Sequence, residues 1–259
     1  MGILYFTTTN DKMFDISGER MIKSFIKYAN EDDRLYVFHE TPIGWIVDTR
    51  IIYVNTKGDR IYETWWNKNK DIIPKKYGGE CEEGDKRLNV GRMIKWNQKA
   101  CFWFWKIVAL FYAINYVSIG GAKFENFIMI DIDTEFRMNI PGEFWETVLD
   151  EGKCCGYHLG KHRKNVNVNL CAGVESGIVI FKNSIGGKSI ANEIVNMFLT
   201  DKFKELPRWD DGYVIRECVM NNNLCQDLTP LSNVANVIAE GPFKGKISHY
   251  KGTHWKMIK

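Results

Sequence analysis

The chain has 259 residues, 45% of them hydrophobic, and carries a formal net charge of +3 at pH 7. This length and composition suit one large α/β domain with a sizeable core. The weak positive charge, without a basic run interleaved with regularly spaced aromatic residues, argues against a nucleic-acid partner. The seven cysteines include no Cys-x-x-Cys pair, so we expect neither a zinc site nor a disulfide framework, as is usual in a reducing compartment.

The sequence also predicts a protein without a transmembrane segment. Residues 1–11 lack the basic start and the long apolar run of a signal peptide. Residues 101–117 are very apolar, but Lys106 interrupts them, and the run after it is shorter than the roughly 20 residues that a membrane span requires. We therefore expect a long buried helix at residues 93–117 and a cytoplasmic protein.

The N-terminal part of the chain has the pattern of a strand, a helix and a second strand. Residues 3–6 are apolar and predict a buried strand that runs into a polar loop at residues 7–10. Apolar residues then recur at helical spacing after Ser17, which is the expected N-cap. Residues 34–38 predict the second strand. A unit of this kind predicts a parallel sheet.

The rest of the chain contains one long polar region and several predicted strands and helices. Residues 55–90 are polar and show little periodicity, so we expect a long loop or insertion there. The later elements are predicted, in chain order, as a strand at residues 127–130, a strand at 177–181, a helix at 188–203, a helix that begins at Asp210 or Asp211, and a strand or loop at 245–259.

Two aspartates, Asp131 and Asp133, follow directly after the apolar strand at residues 127–130. Residues i and i+2 of a strand point to the same side, and ligands bind at the carboxyl edge of open α/β sheets. Two adjacent carboxylates repel each other unless a cation lies between them, and a hard divalent ion such as Mg²⁺ or Mn²⁺ accepts oxygen ligands. The alternative is a turn in which the aspartates cap backbone amides.

A strand that ends in Asp-x-Asp resembles the metal-binding motif of the GT-A glycosyltransferases. Three further features follow in the order that this family has: a glycine-bearing loop before a strand at residues 171–181, the acidic pair Asp210 and Asp211, and His249. His249 begins a His-x-x-Gly sequence that is similar to the ending of glycogenin-like transferases. The resemblance covers residues 1–255, except residues 55–90, and extends to small soluble transferases of bacteria and large DNA viruses.

The resemblance implies a GT-A fold, which is an α/β, Rossmann-like fold with a mostly parallel central sheet flanked by helices. A single domain would span residues 1–259, with a nucleotide-sugar-binding half at 1–135 and an acceptor-binding half with the C-terminal metal-ligand tail at 136–259. It implies sugar transfer from a nucleoside-diphosphate sugar, with uridine diphosphate (UDP) the commonest carrier, to a hydroxyl of a glycan or glycoside acceptor. The implied metal cofactor is Mn²⁺ or Mg²⁺.

The resemblance also assigns roles to residues. Asp131, Asp133 and His249 would hold the metal, with His254 as the second choice for the histidine. Asp211, or Asp210 in its place, would be the general base of an inverting enzyme, whereas in a retaining enzyme this segment would position the acceptor and Glu175 would lie near the reacting carbon. Donor contacts are expected from Thr7, Thr8, Thr9, Asn10, Glu40, Lys106, Asp131, Ile132, Lys251 and Gly252.

Each of these residues also has an ordinary interpretation. Asp210 or Asp211 can be a simple N-cap. Lys106 can lie at the edge of an apolar helix with its ammonium group in solvent. The polar residues after the strands can be ordinary solvated loop residues.

Two other functions stay open on the sequence alone. A metal-dependent phosphotransferase or nucleotidyltransferase also uses paired aspartates. The sequence Gly186-Gly187-Lys188-Ser189 is similar to the end of a phosphate-binding loop, but Lys182 stands where the first glycine of that motif belongs, so a plain turn is the alternative. The third possibility is a non-catalytic carbohydrate-binding protein, for which a complete set of metal ligands would be unnecessary.

Overall fold

A large central sheet organises the structure, a computed structural model that describes residues 1–73, 100–119, 124–160, 173–230 and 236–250. Its strands are β1 (Gly2–Thr9), β2 (Arg34–His39), β3 (Ile51–Asn55), β4 (Phe124–Ile130), β6 (Cys155–Tyr157), β7 (Ile178–Lys182) and β8 (Cys225–Asp227). Among the described residues, these seven strands lie in the order β3-β2-β1-β4-β7-β6-β8. A second, antiparallel sheet joins β5 (Thr134–Phe136) to β9 (Ile247–His249).

Most neighbouring strands of the large sheet are parallel. β1 pairs in parallel with β2 and β4, β2 with β3, and β6 with β8, whereas β7 runs antiparallel to both of its neighbours. The parallel direction brings the carboxyl ends of β1, β2 and β4 to the same edge of the sheet. The predicted α/β class, a mostly parallel sheet flanked by helices in one domain, is confirmed.

Helices cover both faces of the sheet. They are α1 (Glu19–Tyr28), α2 (Arg60–Asn69), α3 (Ala100–Ile119), α4 (Gly142–Thr147), α5 (Ile185–Leu199), α6 (Asp211–Val219) and α7 (Val237–Glu240). Alternate side chains of β1 enter the two cores, with Leu4 and Phe6 on the α3 side and Ile3 and Tyr5 on the α1 side. A strand that is buried on both faces reads as a continuous apolar run, which is why β1 was recognisable in the sequence.

The connection after β1 differs from the prediction. β1 continues through Thr9, because residues 7–9 keep the parallel register with β2. The expected N-cap at Ser17 is wrong, since Ser17 lies inside a π-helical segment at Phe14–Gly18 that precedes α1. The helical turn begins instead after Asn10, whose side-chain oxygen accepts a hydrogen bond from the backbone N of Met13 at 2.9 Å.

Part of the region predicted as a loop at residues 55–90 is helical. α2 begins after Asp59, whose carboxylate accepts a hydrogen bond from the backbone N of Tyr62 at 2.9 Å. The buried residues of α2 are Tyr62, Trp65, Trp66 and Asn69. This helical spacing was hidden among polar and charged residues such as Glu63, Asn67 and Lys68, which are not buried. Residues 74–99, which include the start of the helix predicted at 93–117, lie outside the described residues.

The later elements follow the predictions closely. α3 confirms the buried helix, and no helix in the described part of the chain is long and apolar enough to cross a membrane. α5 begins three residues earlier than predicted, after the N-cap Ser184, and a separate 3-10 turn follows it at Lys202–Glu205. α6 begins at Asp211, and β9 confirms a strand in the C-terminal tail.

Candidate functional site

Asp131 and Asp133 lie where the chain leaves β4, but they form a tight turn and do not continue the strand as expected. The backbone O of Asp131 accepts hydrogen bonds from the N and Oγ1 of Thr134, at 3.1 and 2.7 Å. The N of Asp131 donates to the backbone O of Gly177 at 3.0 Å, which fixes the start of the turn. The turn, and not the alternation of a strand, therefore places the two carboxylates together.

β9 brings His249 to the same turn. His249 is opposite Thr134 in the β5–β9 pair, and the N of Tyr250 donates to the O of Asp133 at 2.9 Å. As a result, Nε2 of His249 lies 3.3 Å from Oδ1 of Asp133 and 3.5 Å from Oδ2 of Asp131. The three residues that the sequence predicted as metal ligands form one cluster, with one ligand atom from each residue within 4.8 Å of the others.

Two neighbours hold His249 in position. Nδ2 of Asn236, the N-cap of α7, donates to the backbone O of His249 at 2.6 Å. Gly177 faces the imidazole ring, and a Cβ atom at this position would lie 2.7 Å from Cε1 of His249. Any side chain at position 177 would therefore displace the ring or the loop. The sequence pointed to a glycine-bearing loop here, and the approach of His249 is its physical reason.

Lys106 from α3 lies against the same cluster. Its Nζ is 2.5 Å from Oδ1 of Asp131 and 2.9 Å from Oδ2 of Asp211, and it donates to Oγ of Ser176 at 3.1 Å. A buried ammonium group requires such partners. Burial alone would lower the pKa of Lys106, but the charges of Asp131 and Asp211 raise it above its ordinary value. The expected position of Lys106 beside the carboxylates is therefore what the structure has.

The charges of the cluster also determine how its acids and its histidine titrate. Burial would raise the pKa of Asp131, but Lys106 and His249 hold it well below its ordinary value. Burial would lower the pKa of His249, but hydrogen bonds and charges from Asp131 and Asp133 raise it to about 9. In the absence of a metal ion, His249 is therefore protonated at neutral pH and forms an ion pair with both carboxylates.

The chemistry of this donor set fits a hard divalent cation. Two carboxylates and one imidazole are ligands that Mg²⁺ and Mn²⁺ accept. On an octahedral ion with bonds of about 2.1 Å, adjacent ligand atoms are about 3 Å apart. Nε2 of His249 lies 3.3 and 3.5 Å from the nearest oxygens of Asp133 and Asp131, so the three side chains are close enough to share one such ion.

The two adjacent aspartates at the start of α6 have different surroundings. Both oxygens of Asp210 are engaged, Oδ1 by the backbone N of Tyr213 at 3.1 Å and Oδ2 by Nε of Arg208 at 2.8 Å. Asp210 is thus the N-cap of α6 and the partner of a buried arginine. Asp211 turns the other way, toward Lys106 and the metal-ligand cluster. The next residue, Gly212, packs closely against the loop before β7, where a Cβ would lie 2.4 Å from the O of Val174.

A cavity of about 220 Å³ opens beside the cluster at the carboxyl edge of the sheet. Of the residues predicted to contact the donor, its wall includes Thr8, Thr9, Asn10, Glu40, Lys106, Asp131 and Ile132, together with the metal-ligand candidate Asp133. Thr7 is buried and does not line the cavity. Lys251, Gly252 and His254 lie outside the described residues.

Sequence reasoning missed the aromatic part of this wall. The remaining lining residues are Met13, Phe38, Thr56, Phe102, Trp103 and Trp105. Phe102 and Trp103 precede Lys106 on α3 by four and three residues, so their position relative to Lys106 was a usable signal. Ser176 and Asn236, which support the cluster, had no comparable signal because their contacts depend on loop packing.

Glu40 follows β2 and contributes a buried carboxylate to the cavity wall, with 8% of the residue exposed. Its Oε1 accepts a hydrogen bond from Nδ2 of Asn10 at 3.4 Å. Burial raises the pKa of Glu40, and the hydrogen bonds of Asn10 and the indole of Trp105 lower it in part. Oε2 is buried without a hydrogen bond of ordinary geometry to any described residue.

The glycine-rich sequence at residues 186–189 lies at the opposite edge of the sheet. β7 is antiparallel to β4, so its end at Lys182 pairs with Asn126 near the start of β4. The N of Gly187 donates to Oγ of Ser184 at 3.2 Å, which is a regular N-cap. This segment is a turn and a helix start, and it is separated from the candidate metal ligands by the length of β4.

Solved structures with a similar fold include the crystal structure of mouse xyloside xylosyltransferase 1 in its apo form. The two chains are 9% identical, with a TM-score of 0.47, over 88% of this chain and 86% of that chain. No model of a protein family matches the sequence, and no curated protein matches it. At this level of similarity the activity of the mouse enzyme does not carry over to this chain.

Proposed function

We propose that this protein is a metal-dependent glycosyltransferase of the GT-A type, which transfers a sugar from a nucleoside-diphosphate sugar, with UDP as the carrier, to an acceptor hydroxyl on a glycan. The observation that supports this most directly is the meeting of Asp131, Asp133 and His249, from distant parts of the sequence, beside a cavity that also contains Lys106. Cation ligands and a second positive charge at the carboxyl edge of an α/β sheet suit a substrate that carries a diphosphate.

In this proposal the metal cluster binds the diphosphate of the donor. Asp131, Asp133 and His249 would hold Mn²⁺ or Mg²⁺, which when bound stabilises the negative charge of the leaving nucleoside diphosphate. Lys106 places its ammonium group between Asp131 and Asp211, so its charge is fixed before the donor arrives. Such a preorganised charge costs no rearrangement during the reaction.

The nucleotide would lie along the carboxyl edge of the sheet, over the ends of β4, β1 and β2. Among the described residues, those that line the cavity all fall between Thr8 and Asp133, which supports the assignment of residues 1–135 to the donor. The acceptor would then be bound by residues 136–259.

Asp211 is the candidate general base for the acceptor hydroxyl, in preference to Asp210. Both oxygens of Asp210 already serve the fold, as an N-cap and as the partner of Arg208. Asp211 is buried beside the metal-ligand cluster, where a reacting hydroxyl would have to approach. Lys106 contacts Oδ2 of Asp211, so Oδ1 is the oxygen that would accept the proton.

The test is release of UDP from a panel of UDP-sugars with Mn²⁺ and with EDTA. Slow hydrolysis of one UDP-sugar in Mn²⁺ but not in EDTA, abolished by Asp133→Asn, is the expected result. Consumption of a nucleoside triphosphate in place of UDP-sugars would support the phosphotransferase or nucleotidyltransferase alternative. Glycan binding without consumption of any nucleotide would support the non-catalytic alternative.

A further inference from the structure

Cys155 and Cys225 lie opposite each other on neighbouring strands at one side of the large sheet. β6 and β8 are parallel, and their register pairs Cys155 with Cys225. Both side chains belong to the core on the α3 side of the sheet, and neither cysteine is in a disulfide. The pair is at the other end of β7 from the metal-ligand cluster, because Cys155 is opposite Phe181, whereas the cluster lies beyond Ile178 and its partner in β4.

The separation of the two strands suits a disulfide. Neighbouring strands are about 4.8 Å apart. Disulfides join Cα atoms that are about 4.4–6.8 Å apart, so the backbone positions of Cys155 and Cys225 are compatible with this bond. The described residues contain no group of three thiols that could share a metal ion. The pair is therefore suited to thiol oxidation, which also occurs, as transient redox-sensing disulfides, in reducing compartments.

The two thiols differ in exposure and in ionisation. Cys155 is fully buried, whereas Cys225 is 8% exposed and follows the exposed residues Asn223 and Leu224, on the strand that forms this edge of the described sheet. Burial raises the pKa of the Cys155 thiol well above its ordinary value. A hydrogen bond with the Cys155 thiol lowers the pKa of Cys225, and this effect outweighs the opposing effect of burial. Because the thiolate is the form that reacts with oxidants, Cys225 is the thiol that reacts first.

We propose that Cys225 and Cys155 form a redox-active dithiol that a peroxide oxidises to a disulfide. The Cys225 thiolate attacks one oxygen of hydrogen peroxide, the O–O bond breaks, and Cys225 becomes a sulfenic acid while hydroxide leaves. The Cys155 sulfur then attacks the Cys225 sulfur, the S–O bond breaks, and the oxygen leaves as water with the proton of the Cys155 thiol. In total, two thiols lose two electrons and one peroxide is reduced to two waters. This chemistry is independent of the proposed function.

The experiment is treatment of the folded wild-type protein with one equivalent of hydrogen peroxide, followed by alkylation of the remaining thiols and peptide mass spectrometry. We expect a disulfide that links the peptides of Cys155 and Cys225 and that dithiothreitol reverses. Cys155→Ser removes the second thiol of the pair, so its Cys225 should accumulate a sulfenic acid that dimedone traps. Cys154→Ser is the matched control, because it removes the neighbouring thiol and keeps the pair, and it should form the same disulfide as the wild type.

Three results would overturn the inference. A disulfide of Cys225 with Cys154 or Cys218 would contradict the pairing, and a Cys225 thiol that is oxidised only after unfolding in urea would contradict its reactivity. Absence of a dimedone adduct on Cys225 in folded Cys155→Ser would contradict the order of the two steps. The first two readouts use wild-type protein, so they decide the matter even if Cys155→Ser folds poorly. Metal-dependent nucleotide binding is measured separately, and its failure would leave this inference in place.

Discussion

The Cα atom of Gly177 faces the imidazole of His249 so closely that a Cβ atom there would lie 2.7 Å from Cε1 and 2.9 Å from Nε2. Nε2 is the atom that faces Asp131 and Asp133. The loop before β7 therefore determines where the third metal-ligand candidate lies, although it provides no ligand itself.

Substitution Gly177→Ala should weaken metal binding. The added methyl group must displace His249 or Ile238, since both lie under 3 Å from its position. Overpacking of this kind costs about 1–3 kcal/mol. We expect at least a 10-fold loss in Mn²⁺ affinity by calorimetry, corresponding to about 1.4 kcal/mol. Gly142→Ala is the matched control, because no other atom lies within 4 Å of the place that its added Cβ would occupy. Equal Mn²⁺ affinity in the two variants would contradict the role of Gly177.

Asp133→Asn should remove metal-dependent nucleotide binding with little change in the fold. The amide keeps the size of the side chain but loses the negative charge that a divalent ion requires. The same substitution at Asp71, which is exposed, serves as the control. The measurements are UDP affinity in Mn²⁺ and the melting temperature. Retention of wild-type affinity in Asp133→Asn would remove this residue from the site.

Lys106→Met should destabilise the metal-free protein. The stability of this variant should also depend more strongly on bound metal than that of the wild type. Without the ammonium group, the carboxylates of Asp131 and Asp211 lose the cation that lies between them. Removal of one partner from a buried ion pair lowers the free energy of unfolding by roughly 3–5 kcal/mol. Mn²⁺ should raise the melting temperature of Lys106→Met more than that of the wild type, since the ion would replace the lost charge. An equal rise in both proteins would show that Lys106 does not share the cluster with the metal.

Asp211→Asn should mainly impair catalysis, whereas Asp210→Asn should mainly impair stability. Asp211→Asn should slow sugar transfer by about 10²- to 10⁴-fold, the usual contribution of a general base, with the donor affinity nearly unchanged. Asp210→Asn should mainly lower the melting temperature, because it weakens the ion pair with Arg208. The measurements are steady-state transfer, donor titration and thermal unfolding of each variant. Unchanged turnover in Asp211→Asn would exclude it as the base.

Metal affinity should depend on pH through His249. Its pKa in the metal-free protein is raised to about 9, so the stabilising ion pair is complete below the ordinary histidine pKa and is lost as the pH rises through about 9. Metal binding requires the neutral ring, so it should release close to one proton at pH 7. The apparent Mn²⁺ affinity should rise from about pH 6.5 to about pH 9, and titrations in buffers of different ionisation enthalpy would count the proton. A pH-independent affinity would mean that His249 does not bind the ion.

The sequence was sufficient to predict the class of the fold and the proximity of Asp131, Asp133 and His249. β1, β4 and β7 are buried on both faces, so their apolar runs were unambiguous. The order of the motifs placed Asp131, Asp133 and His249 together, although the spacing argument for the two aspartates assumed a strand where the structure has a turn.

The remaining features depend on tertiary packing that no local pattern reports. Asp210 and Asp211 are adjacent at the start of a helix, so the sequence does not distinguish them. The structure does, because Asp210 contacts Arg208 and Asp211 contacts Lys106. Asn236 contributes through its contact with the backbone of His249, which sequence spacing cannot predict. α2 was missed because its buried face consists of Tyr62, Trp65, Trp66 and the polar Asn69, within a segment that is otherwise mostly polar.

The most direct test of the central claim is calorimetric titration of UDP into the purified wild-type protein, first with Mn²⁺ and then with EDTA. Binding in Mn²⁺ that disappears in EDTA is the predicted result, because the diphosphate would be held through the ion at Asp131, Asp133 and His249. Binding of equal strength in EDTA, or no binding of UDP in either condition, would contradict a metal-dependent UDP-sugar site at the carboxyl edge of this sheet.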